Sequence, residues 1–150
     1  MLVFSEYQTD TIDLALDFYG YEDCPKNYEF GPSVRDNFVL HYITKGKGIF
    51  HINKKEIHLE AGDLFLLPKN IVTYYQADAE DPWSYYWIGI SGTKVSDFMR
   101  FSTLHAKGFL KKNEVDTERI GLFMEQLVHK AEASKMTSHY QLHLLSQIYE

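Results

Sequence analysis

Between residues 28 and 92 the chain passes through seven short β-rich runs punctuated by glycine, asparagine and proline. They read "YEF", "FVLHYIT", "GIFHI", "EIHL", "DLFLL", "VTYYQ" and "WSYYWIGI", with turns at 45–48, 53–54, 61–62, 68–70 and 78–82. Runs this short and this closely spaced read as antiparallel strands, and so many of them as a sandwich or barrel. A length of 150 residues, 45% hydrophobic and 24% charged, suits one globular domain with a real core.

After Gly92 the period changes to helical. "TKVSDFMRFSTLH" places Val95, Phe98, Met99 and Ser102 on one face. From Asp116, with Asp116 or Thr117 as N-cap, Ile120, Phe123, Met124, Leu127, Val128 and Ala131 recur at three and four. A further segment, capped by Thr137 or Ser138, carries Leu142, Leu144, Leu145 and Ile148. It reaches Glu150 without a glycine or proline stop, so the natural chain is expected to continue. The expected fold is mainly β: an antiparallel barrel followed by a helical hairpin.

The strands near the end of the barrel carry an unusual load of Tyr and Trp: Tyr74, Tyr75, Trp83, Tyr85, Tyr86 and Trp87. A plain core favours Leu, Ile, Val and Phe, because a buried hydroxyl or indole N–H needs a partner. Tyr and Trp together suit a pocket for a ligand that is flat and polar. Alternation puts Thr73 and Tyr75 on one strand face, and Tyr85 and Trp87 on another, with Tyr74 and Tyr86 turned away. Trp83 reads as a core residue. His41, mid-strand among apolar neighbours, reads either as a satisfied core histidine or as a pocket residue. Arg35 reads as a ligand contact or as half of an ion pair with Asp36.

Net charge is −6 with no long basic run, so the chain by itself is not expected to bind DNA. The lysines of "KGK" and "NKK" fall in hairpin tips. Cys24 is the one cysteine, which excludes an internal disulfide and fits a reducing, cytoplasmic compartment. The N-terminus has no secretion-signal pattern, and no apolar run approaches membrane-spanning length.

"GDLFLLPKNIVTYY" resembles the second motif of cupin barrels (the double-stranded β-helix). Gly62 and Pro68 hold the motif spacing, and Asn70 takes the place of its second glycine, a left-handed position that asparagine tolerates. Thr73 stands in the histidine slot and Ala77 in the asparagine slot. In the first motif only His51 and a loosely spaced Glu56 remain, with Asn53 where a second histidine would stand. Three well-placed protein ligands are needed for a catalytic metal, so no metal and no cofactor is expected.

Taken with "GPSVRDNFVLHYITKGKGIF" and the helices, the whole chain resembles the effector-binding and dimerisation domain of the AraC family, nearest to regulators of multiple-sugar or raffinose operons. The resemblance implies an N-terminal arm over residues 1–27, a cupin barrel over 28–92 and a helical dimerisation part over 93–150. It also implies a separate DNA-binding domain after residue 150, a sugar effector, a homodimer and no membrane. Carried over by position, the pocket comprises Thr73, Tyr75, Tyr85 and Trp87, with His41 and Arg35 as further candidates. The arginine that grips the sugar in that family falls on Gly31 here. Two alternatives stay open: a cupin enzyme acting on a sugar (isomerase, epimerase or dioxygenase), and a dimerisation module without a small ligand.

Overall fold

The structure, a computed structural model, describes the backbone of residues 3–6 and the whole of residues 14–133. The strands are β1 (Val3–Glu6), β2 (Ala15–Asp23), β3 (Glu29–Ser33), β4 (Phe38–Lys45), β5 (Lys47–Ile52), β6 (Lys55–Glu60), β7 (Leu64–Leu67), β8 (Thr73–Ala77), β9 (Ser84–Ser91) and β10 (Phe109–Leu110). The helices are α1 (Thr93–Arg100), α2 (Thr103–Lys107) and α3 (Thr117–Ala133). All the strand pairs are antiparallel. They form a six-stranded sheet, β1-β2-β9-β4-β7-β10, and a four-stranded sheet, β3-β8-β5-β6. The fold is thus mainly β, as expected. Its sheets do not close into a continuous barrel: outside the named ladders, the chain adds only the isolated bridges Arg35–Lys69 and Lys47–Pro82 among the described residues.

The two sheets differ in how they are covered. The larger has the smaller on one face and the helices on the other, so "FVLH" and "LFLL" are buried without alternation. In the smaller, β5 buries Gly48, Phe50 and Ile52 and leaves the residues between them partly exposed. Its hairpin turns on Asn53 and Lys54, both at positive φ (52° and 63°), as a two-residue turn of the primed type requires. Asn70 has φ 65°, the left-handed conformation expected where glycine is replaced.

Three expectations are corrected in detail. Of the stretch expected as an arm, Ala15–Asp23 is a strand inserted between β1 and β9. Its acids obscured the pattern. Asp17 accepts hydrogen bonds from Asn37 and Ser91 (3.3 and 3.0 Å), and Asp23 accepts one from Ser84 (2.6 Å). The single helix expected after Gly92 is two, because Ser102 ends one and caps the next, accepting from the His105 N–H at 3.0 Å. Phe98, expected on the buried face, is 45% exposed, while Val95 and Met99 are buried.

The helix from Asp116 is as expected, with the Asp116 carboxylate accepting from the Arg119 N–H. Its second hairpin member, with Leu142, Leu144, Leu145 and Ile148, lies outside the described residues. None of the described helices is long and apolar enough to cross a membrane.

Candidate functional site

Strand register assembles the site. On the inner face of the larger sheet, Gly20 of β2 pairs with Trp87 of β9, which pairs with His41 of β4, which pairs with Phe65 of β7. The neighbouring row is Glu22, Tyr85 and Ile43. From the facing sheet come Tyr75 and Phe30, paired across β8 and β3 and stacked at 5.4 Å. Between them is a cavity of about 70 Å³, lined by Glu22, Tyr28, Phe30, Arg35, Val39, His41, Tyr75, Tyr85 and Trp87.

Five of the six sequence-predicted residues therefore meet there: Arg35, His41, Tyr75, Tyr85 and Trp87. Thr73 does not. It shares the inward face with Tyr75 but lies at the end of β8, buried between Ser33 and Ile52 and outside the cavity. The carry-over by position set the face correctly, but could not set how far along the strand the cavity extends. Glu22, Tyr28, Phe30 and Val39 were missed. The available signal was the Phe18, Gly20, Glu22 alternation on β2, which the surrounding acids hid. A larger groove of about 440 Å³, near Lys69, Ser91, Thr93 and Arg100, contains none of the predicted residues.

His41 is 2% exposed and its Nδ1 has no hydrogen-bond partner. The ring lies flat on Phe65 (4.2 Å, 9°) and meets Tyr85 and Tyr75 edge-on at 4.9 and 5.2 Å. Burial, reinforced by the Arg35 charge and opposed by a hydrogen bond with the Val39 backbone, holds its pKa down to about 3. Tyr85 shares hydrogen bonds with Tyr75 and Cys24, and burial drives both phenols well above their usual range. Burial likewise pushes the Cys24 thiol up to about 12. The deep part of the site is consequently polar but uncharged at neutral pH.

Arg35 is not paired with Asp36. Its guanidinium sits between the rings of Phe18 and Phe30, 5.5 and 5.0 Å from their centroids. The motif turn places it there: the Asn70 N–H donates to the Arg35 carbonyl at 2.7 Å. A cation thus reaches the cavity four residues after Gly31.

Trp87 is partly exposed and meets Tyr85 edge-on at 5.8 Å. Trp83 is fully buried, stacked on Phe65 at 5.3 Å, and does not line the cavity. Tyr74 and Tyr86 point away as alternation requires. The Tyr74 hydroxyl donates to Glu29 (2.6 Å), and that of Tyr86 meets His129 of α3 (3.1 Å). His51 and Glu56 are an exposed cross-strand pair 4.0 Å apart. Among the described residues no group of three or more His, Cys, Asp or Glu is placed to hold a metal ion.

A family model for the AraC-like ligand binding domain matches residues 15–150. The chain belongs to that family. This AraC-like domain is similar to the Msm operon regulatory protein of Streptococcus mutans, with 49% identity over 68% of the chain and 37% of that protein. It is also similar to the raffinose operon transcriptional regulatory protein RafR of Pediococcus pentosaceus, with 44% identity over 63% of the chain and 35% of that protein. The AraC-like domain thus spans little more than a third of the length of these curated relatives. In fold it is similar to the protein YhaK from Escherichia coli (TM-score 0.53, 14% identity, covering 61% of this chain and 45% of that one).

Proposed function

We propose that this AraC-like domain is the effector-sensing and dimerisation part of a sugar-responsive transcriptional regulator, and that a mono- or oligosaccharide binds between its two sheets. The observation that carries the reading is the convergence of Arg35, His41, Tyr75, Tyr85 and Trp87 on one cavity. Indole and phenol rings cover the C–H faces of a sugar, while hydroxyls, imidazole and guanidinium meet its rim. The names of the two relatives, regulators of the Msm and raffinose operons, point the same way.

The deep part of the site is suited to binding. General acid–base catalysis favours groups that titrate near the working pH. Here the imidazole is held near 3 and the thiol near 12. In the whole cytoplasmic regulator, DNA would be bound by a separate domain, and two copies would associate through the helices after Asp116.

A cavity of about 70 Å³ is far below the roughly 300–1,000 Å³ of pockets that enclose small-molecule ligands. Sugar entry therefore widens it. The wall free to yield is β3, which pairs only with β8 and is irregular between Phe30 and Ser33, whereas β4 and β9 are flanked by strands on both sides. Calorimetry with arabinose, melibiose and raffinose tests the reading. The intact chain should bind at least one of them, and Trp87→Ala should abolish binding while leaving a folded protein. No sugar binding by the intact chain overturns it.

A further inference from the structure

One stack of side chains crosses the gap between the two sheets, beside the cavity. It starts at Tyr75 of β8, on which Phe30 of β3 is stacked at 5.4 Å and 21°. The Arg35 guanidinium comes next, 5.0 Å from the Phe30 centroid and 5.5 Å from that of Phe18 on β2. Phe18 ends the stack against β9, so close to Gly89 that a Cβ there would collide with its ring. Phe18, Phe30 and Arg35 are all partly exposed, and the last two line the cavity. The stack therefore stands between that space and solvent.

The two ends of the stack are not equally fixed. Phe18 belongs to a strand held between β1 and β9, and its seat on Gly89 leaves the ring little room. The Arg35 backbone is held as well, by the Asn70 N–H and the bridge to Lys69. Phe30, in contrast, lies on β3, which pairs only with β8 and loses its regular register after Phe30. Among the described residues no strand ladder joins β3 to the larger sheet, so the guanidinium makes a link there that backbone hydrogen bonds make elsewhere. A cation between two rings is attracted to both faces, yet each attraction is weak enough to be broken and remade by side-chain rotation.

We propose that Arg35 is a latch across the mouth of the inter-sheet cavity: its guanidinium, clamped between Phe18 and Phe30, holds β3 to the larger sheet and lets go of a ring before a ligand enters. The inference rests on the reading that a sugar occupies the cavity, which at about 70 Å³ admits none while the stack is closed. Phe18 lies outside the cavity lining, so its part in the latch is separable from contact with a ligand.

Two readouts test the latch, and one of them needs no sugar. The chain has two tryptophans, so in a Trp83→Phe background Trp87 alone reports from the cavity, with acrylamide as a small uncharged probe of access to it. Arg35→Ala and Phe18→Leu should each raise the quenching constant of Trp87 about twofold, at temperatures well below the melting midpoint of every variant. In stopped-flow mixing with arabinose, melibiose and raffinose, a sugar that binds should enter each variant about threefold faster than the unmodified chain. A residue that only touches bound sugar changes escape and leaves entry alone. Unchanged quenching in either variant overturns the latch, and so does sugar entry that neither variant accelerates. Raised quenching in both variants, with no sugar bound by the intact chain, leaves the latch standing and defeats the sugar-sensing reading.

Discussion

On one side of β4, β7 and β9, Leu40, Leu66, Ile88 and Ile90 pack against Met99, Leu104, Met124 and Leu127 of the helical layer. On the other side of the same strands, Phe65 and Tyr85 join Phe50, Tyr75 and Trp83 from the rest of the inter-sheet core. The first core is almost entirely aliphatic. The second is richer in rings, set among aliphatics such as Ile43, Ile52, Leu59 and Leu67, and retains polar atoms without partners, His41 Nδ1 and Trp83 Nε1. Aliphatic packing serves burial alone, since it maximises apolar area without creating hydrogen-bond debts. A ring-lined core with unsatisfied polar atoms is a poorer stabiliser, because each such atom costs about 1–3 kcal/mol unless something pairs with it. Two cores sharing three strands thus follow two different rules, and the second makes sense when a ligand is part of its chemistry.

The sharpest way to break this comparison is truncation. Trp83→Ala, which empties a fully buried site in the ring-lined core, should cost about 3–5 kcal/mol, and Leu66→Ala in the aliphatic core about 2–5 kcal/mol. Both are read by urea denaturation. Leu66→Ala should leave sugar affinity of the folded fraction intact. A selective loss of binding there would blur the division between the two cores.

Acidification comes next. His41 has its folded pKa depressed to about 3, against an ordinary value of 6.5 in the unfolded chain. Below 6.5 the unfolded state takes up a proton that the native state refuses, so this residue's contribution to stability is lost as pH falls from 6.5 towards 3. Between pH 7.5 and 5 the loss should be about 2 kcal/mol, and the pH 5 penalty should shrink by that amount in His41→Asn. Equal acid sensitivity of the two proteins would show that the imidazole is not held neutral.

The smallest effects separate the two faces of one strand. Tyr85→Phe removes a hydroxyl shared with Tyr75 and Cys24 and should cost about 1 kcal/mol of stability, with weaker sugar binding. Tyr86→Phe gives up only the surface contact with His129 and should stay within about 0.5 kcal/mol, with binding unchanged. Equal binding losses for the two variants would remove the face assignment.

Much of this was legible in the sequence, for physical reasons that can be named. Most strands from Glu29 to Ser91 announced themselves because they have buried residues and are bounded by turn residues the backbone needs, as at Asn53 and Asn70. β2 did not, because Asp17, Glu22 and Asp23 lie among its apolar residues, and it takes tertiary neighbours such as Asn37 and Ser84 to help satisfy Asp17 and Asp23. β10 is two residues long, too short to carry a period. Alternation placed Tyr75, Tyr85 and Trp87 on inward faces. It could not reveal that the cavity stops short of Thr73, or that Arg35 is carried to it by the turn at Asn70, since both depend on which strand ends meet.

β9 carries a consequence for communication within the molecule. Tyr85 and Trp87 face the cavity, and the residue between them, Tyr86, reaches across the other face to His129 on α3. Adjacent residues are joined by a single planar peptide, so the two faces of β9 are one residue apart along the chain. The shortest covalent path from the inter-sheet space to the long helix's neighbour is therefore one residue long.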